Sequence, residues 1–193
     1  MLRSIVIINS VWQSIAAQCH AAGCRETGFR LLGERAISET LAGTVVDLVV
    51  FAAVGEGPAA HATAVRFAPD TEYQQAEIDV LVAQHPRWQF LGEGHLHPSS
   101  MPVPSQHDIQ MAAEMALEPC YRLPNMTMPI LIATIVRGQL ALRGFAVDAT
   151  FDPLEVREVP VLVDGWPQPA PQPAARSSHT AARLGSLLRR LIP

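Results

Sequence analysis

Two histidines one residue apart, His95 and His97, are followed after seven residues by Ser105 and after two more by Asp108, and nothing else constrains this chain as much. In an extended strand, side chains two apart share a face, so His95 and His97 project together while Leu96 points to the opposite side. Ser105-Gln106-His107-Asp108 reads as a helix start, with Ser105 at the N-cap and an acidic residue three positions later. One stretch therefore demands a strand end, a bend through 98–104 and a helix N-terminus. It also gathers two imidazoles and a carboxylate, and a catalytic zinc commonly takes three such ligands and leaves the fourth position to water. Ser105 and Asp108 equally satisfy an ordinary capping box, which needs no catalysis.

Upstream, Glu26 stands at the mouth of the apolar stretch 27–33, where Gly28 and Gly33 permit close backbone approach. Taken together and in this order, Glu26, His95, His97, Ser105 and Asp108 resemble the JAMM signature of the prokaryotic MPN+ (JAB domain) metalloproteases. The resemblance covers residues 5–147 and extends to Gly57-Pro58 and to 67–75, which are similar to the family's middle region. It implies an α/β fold, the MPN (JAB, cytidine-deaminase-like) sandwich, with a mixed central sheet flanked by helices. It also implies one Zn2+ held by His95, His97 and Asp108, with a catalytic water as fourth ligand whose pKa falls to about 7. Glu26 takes the role of general base, receiving the water proton and returning it to the departing amine. Ser105 takes that of a donor to the developing oxyanion.

The activity implied by the resemblance is that of an isopeptidase or peptidase cutting after the C-terminal glycine of a ubiquitin-like protein, in deconjugation or precursor processing. The implied setting is a bacterial conjugation operon, of a type sometimes linked to phage defence, with E1-like and E2-like proteins as partners. An edge strand beside the site is expected to hold the extended tail by β-augmentation. Two alternatives share the resemblance: release of an amino acid or cysteine from a sulphur-carrier protein, and a non-catalytic MPN scaffold, which typically lacks the zinc ligands. The family commonly has Ser or Thr where this chain has Leu96 and often an aromatic residue where it has Gly94; the missing side chain at Gly94 is expected to widen the substrate channel.

With 193 residues, 49% of them hydrophobic, the chain suits one domain plus an appendage. Its net charge of −4 gives no basis for a nucleic-acid surface, and no apolar run is long enough to span a bilayer. The apolar start, 4–10, followed by an amphipathic pattern, reads as a first strand and helix in place of a signal peptide, so a cytoplasmic location is expected. Cys19, Cys24 and Cys120 lack a paired zinc spacing and read as core thiols. All 14 basic residues are arginine; lacking acceptor amines would spare an enzyme that works beside a lysine-modifying pathway, but abundant Ala, Arg and Pro favour a GC-rich genome as the cause.

Periodicity and β-branched content predict strands at 4–8, 28–34, 44–54, 62–67, 130–136, 139–147 and 154–163, with a further segment from Trp88 leading into the histidines. A helix is expected at 11–22, and another at 71–84 with Asp70 as its cap and Tyr73, Ala76, Val80 and Ala83 as its buried stripe. Arg137-Gly138 marks a hairpin turn. The enzyme domain is expected at 1–163, a Pro-rich linker at 164–176 and an amphipathic helix at 177–193, whose Leu184, Leu187, Leu188 and Leu191 seek a partner surface on this domain or on a second protomer.

Overall fold

The computed structural model describes residues 1–98, 101–121 and 123–164. The linker and C-terminal helix expected at 164–176 and 177–193 lie outside them, Asp164 excepted.

Strand β1 (Leu2–Ile8) leads directly into helix α1 (Asn9–Ala22), followed by the long hairpin β2 (Gly28–Thr40) and β3 (Gly43–Val54). A small hairpin, β4 (His61–Ala62) and β5 (Phe67–Ala68), precedes α2 (Thr71–Gln84), and β6 (Gln89–Leu96) carries the chain to the histidines. Then come α3 (Gln106–Leu117), the hairpin β7 (Thr127–Val136) and β8 (Gln139–Asp148), and finally β9 (Glu155–Val159) and β10 (Val161–Asp164).

The main sheet runs β10-β1-β3-β2-β6-β7-β8-β9, with parallel pairs at β10/β1, β1/β3 and β6/β7 and antiparallel pairs elsewhere. Strands β9 and β10 sit at opposite ends of that order yet are separated only by Pro160, so the sheet curls until its two edges meet. The single strand expected at 154–163 is thus two. Proline has no N–H for the ladder, and at Pro160 the chain stops pairing with β8 and begins to pair with β1, the Ile5 N–H donating to the Pro160 carbonyl at 2.9 Å.

Helix α1 contacts β3, β1, β10 and β7, strands far apart in the order, which places it inside the curl. Its Val11, Ile15, Cys19 and Ala22 are buried at helical spacing against Ile5, Ile7, Leu31, Leu96 and Leu131. Helix α3 covers the outer face of β7 and β8 with Ala112, Ala113 and Ala116, and α2 covers the outer face of β2 and β3. The central strands are therefore buried on both faces, which is why Ile5 to Ile7 and Ile130 to Ala133 are continuous apolar runs without alternation.

Three local expectations are corrected. Of the cysteines expected in the core only Cys19 is buried, while Cys24 and Cys120 are exposed. In α2 the buried residues are Gln74 and Ile78, with Leu81 and Val82 packed beside them, while Tyr73 and Val80 are 39% and 52% exposed. The helix is turned by polar contacts: Gln74 Nε2 donates to the Gly55 carbonyl at 2.9 Å, drawing a polar residue inward. The strand expected at 62–67 is only the two-residue pairing of β4 with β5, joined by a turn in which the Thr63 N–H bonds the Arg66 carbonyl.

Candidate metal centre and active site

Strand β6 ends between β2 and β7, with His95 opposite Gly28 on one side and Ile132 on the other. The ladder continues one residue past the strand, the Leu96 N–H donating to Thr27 O and the His97 N–H to Ala133 O, each at 2.8 Å. This locks the alternation. Leu96 enters the inner core at 0% exposure, and both imidazoles face outward toward the start of α3.

Helix α3 begins with a complete capping box. Ser105 Oγ accepts from the Asp108 N–H at 3.2 Å, and the Ser105 N–H donates to Asp108 Oδ2 at 2.6 Å. The same carboxylate meets the histidines, Oδ1 at 3.3 Å from His95 Nε2 and Oδ2 at 3.4 Å from His97 Nε2, while the two Nε2 atoms are 2.8 Å apart. Ligands bound at about 2.0–2.2 Å around a tetrahedral zinc stand roughly 3.3 Å from one another, so this donor spacing fits such an ion. The tautomer fits as well. The Met101 carbonyl can only accept, so His97 Nδ1 carries a proton directed at it over 2.9 Å, leaving the Nε2 lone pair for the cluster. Among the described residues, His95, His97 and Asp108 form a group able to hold a metal.

The electrostatics show how tightly the three are coupled. Burial would raise the Asp108 carboxyl, but hydrogen bonds from His95 and His97, the charge of His95 and the Ser105 bond outweigh it and hold the group well below the usual carboxylate range. His97 is raised, chiefly by its hydrogen bond to Asp108, against an opposing effect of burial; the Met101 carbonyl and the negative charges of Asp108 and Glu26 add to the rise. The Glu26 carboxylate, which precedes β2, is thus close enough for its field to reach the cluster.

All five residues of the signature collect at this end of the sheet. Glu93 lies outside the signature, although the two-residue period that pairs His95 with His97 includes it. It shares their face of β6, and its carboxyl is pushed up by burial, with His95 and Arg30 opposing and Asp108 reinforcing the rise. The expectation for Gly94 is overturned. It lies on the inner side of β6, where an added Cβ would stand 2.5 Å from the Phe29 ring and 2.9 Å from Leu131 Cβ, so glycine makes room for core packing and leaves the outer face unchanged. A cavity of about 240 Å3 opens at the other end of the sheet, among Leu2, Arg35, Leu91, Pro129 and Arg157, and touches none of the donors.

A curled mixed sheet with α1 inside it, two helices outside it and this donor cluster at a strand end is the MPN arrangement of the JAB class. The chain belongs to the prokaryotic homologs of the JAB domain, whose family model it matches over residues 9–143. It is similar to a protein named CD-NTase/cGAS isopeptidase from Enterobacter hormaechei subsp. hoffmannii (strain UCI 50), with 26% identity over 162 residues, covering 82% of this chain and 83% of that one. The solution structure of protein DSY2949 from Desulfitobacterium hafniense shares the fold, with a TM-score of 0.59 and 17% identity over 85% of this chain and 95% of that one. No helix among the described residues is long and apolar enough to cross a membrane.

Proposed function

We propose that this protein is a zinc-dependent isopeptidase that hydrolyses the bond after the C-terminal glycine of a ubiquitin-like protein. The observation that carries the reading is the His95, His97 and Asp108 cluster, with the Glu26 charge acting on His97. The name of the Enterobacter relative extends the proposal to the target, a CD-NTase or cGAS-like protein joined to the modifier. A non-catalytic scaffold would not need the donors and base retained here.

His95, His97 and Asp108 would hold the ion, which supplies a Lewis acid able to acidify water and polarise a carbonyl. Glu26 accepts a proton from the attacking water as its oxygen bonds the carbonyl carbon. It then delivers that proton to the nitrogen as the carbon–nitrogen bond breaks, so one water is consumed and an acid and an amine are released. Ser105 Oγ uses a lone pair for the Asp108 N–H, which leaves its own proton to donate to the carbonyl oxygen as charge develops there.

The test is cleavage of a ubiquitin-like protein fused through its terminal glycine to a reporter, using wild type, Glu26→Ala and chelator-treated protein. Cleavage after the glycine, abolished by both treatments, is the expected result. Wild-type protein that carries metal and leaves every such fusion intact would sink the proposal.

A further inference from the structure

The residue after the general base is a threonine with no contact to solvent, Thr27 at 0% exposure. Its hydroxyl accepts from Gln18 Nε2 at 2.8 Å and donates to Glu56 Oε2 at 2.6 Å. A hydroxyl donating to a carboxylate at that length is a charge-assisted bond, about twice as strong as a neutral one. It also fixes the direction of the Thr27 proton and so presents the lone pair that Gln18 uses. Gln18, on α1, spans the joint by donating from the same Nε2 to the Gly28 carbonyl at 2.9 Å.

Glu56 reaches Thr27 from a loop that is itself fixed. Its carbonyl accepts the Asp70 N–H at 2.9 Å, and the preceding Gly55 carbonyl accepts from Gln74 Nε2 at 2.9 Å. Gly57 follows at φ +84, where an added Cβ would meet Asp70 and Tyr73 at 2.6 and 2.7 Å, so loop and helix start are pressed together. The backbone around the base is held as well: the Glu26 N–H donates to Thr63 O at 2.7 Å, and Thr27 O accepts from Leu96, the residue between the two histidines. Glu26 is thus mounted on a short segment braced from α1, from the loop before α2 and from the metal strand.

From this geometry we infer that Gln18, Thr27 and Glu56 are positioning residues that set the Glu26 carboxylate against the His95, His97 and Asp108 cluster. The inference rests on the function proposed above and adds three residues outside the signature. None of them donates to the cluster, so their removal moves the base and leaves the metal ligands in place. A displacement of about 1 Å at a reacting group costs on the order of a hundredfold in rate.

Thr27→Val keeps the shape of the side chain and deletes both hydroxyl bonds. It should lower kcat about 10- to 100-fold with KM and bound metal unchanged, and Thr27→Ser, which restores the hydroxyl, should recover most of that loss. The deciding comparison is a double-mutant cycle. In a Glu26→Ala background, Thr27→Val should have no further effect, because the group it positions is gone. Glu56→Ala, which leaves a surface loop intact, should follow the same pattern. Unchanged kcat in Thr27→Val, or an equal fractional loss with and without Glu26, would overturn the inference. Amide exchange provides a reading independent of substrate: faster exchange at Glu26 and Gly28 in Thr27→Val supports it, and unchanged exchange overturns it. A wild-type chain that binds metal but cleaves nothing would sink the proposed function, and the exchange data would still decide the inference.

Discussion

Helices α2 and α3 both carry an aspartate at a capped N-terminus, Asp70 as the cap itself and Asp108 three residues past the cap, and they use the carboxylate in opposite ways. Asp70, at the N-cap of α2, gives both oxygens to backbone donors, Oδ1 to Tyr73 N–H and Oδ2 to Ala59 N–H, each at 3.1 Å. In α3 the work is divided: Ser105 satisfies the donor in the first turn, and Asp108 accepts one bond from Ser105 N–H while its two oxygens stay within 3.3 and 3.4 Å of the histidines. Moving the acid from the cap to the third helical position frees a carboxylate edge to face a neighbouring strand. One acid ends a helix; the other ends a helix and completes a cluster.

The largest effect is expected for His97→Ala, which deletes a donor that Asp108 faces. Metal analysis should find the ion lost, and turnover should fall roughly a thousandfold or more, since a bound ion contributes several kcal/mol to charge stabilisation. Glu26→Ala should retain the metal while losing about 10²- to 10⁴-fold in kcat, the range typical of a general base. Retention of full activity there would remove Glu26 from the mechanism. Ser105→Ala should cost on the order of a hundredfold in kcat as a lost oxyanion donor, together with about 1 kcal/mol in denaturant unfolding as a lost cap. The smallest effect belongs to α2: Asp70→Ala should also cost about 1 kcal/mol of stability, yet metal content should not change. If Asp70→Ala lost its metal, the two caps would not be functionally distinct.

The cluster could be read from the sequence because everything it needs is local. The alternation of a strand sets His95 against His97, and the geometry of a helix start brings Asp108 back toward them. Strands β1, β6, β7 and β8 and helix α1 were legible for the same reason. The face of α2 was not. Tyr73, Ala76, Val80 and Ala83 repeat at helical spacing, but small and amphipathic residues stabilise a buried face weakly, and the Gln74 bond to Gly55 turned the helix the other way. The channel-widening role expected of Gly94 fails because a family position does not fix which face a residue takes, and the register of β6 puts this one against Phe29. The brace around Glu26 left no pattern to find, since Gln18, Thr27 and Glu56 come from three separate segments and meet only when the sheet curls.

The crossing at Pro160 also bears on how the chain folds. Strand β1 is made before the rest of this sheet, but its outer edge stays open until β10 arrives, and Arg157 bonds the carbonyl of Leu2 across 155 residues of sequence at 2.8 Å. Contacts of such long range are slow to form, because the intervening chain must be closed into a loop before they contribute. The wall around helix α1 is incomplete until then, because β10 is one of the strands it touches inside the curl. The closure of the sheet is thus one long-range step, and a chain broken off before β10 would leave the outer edge of β1 unpaired and open to aggregation.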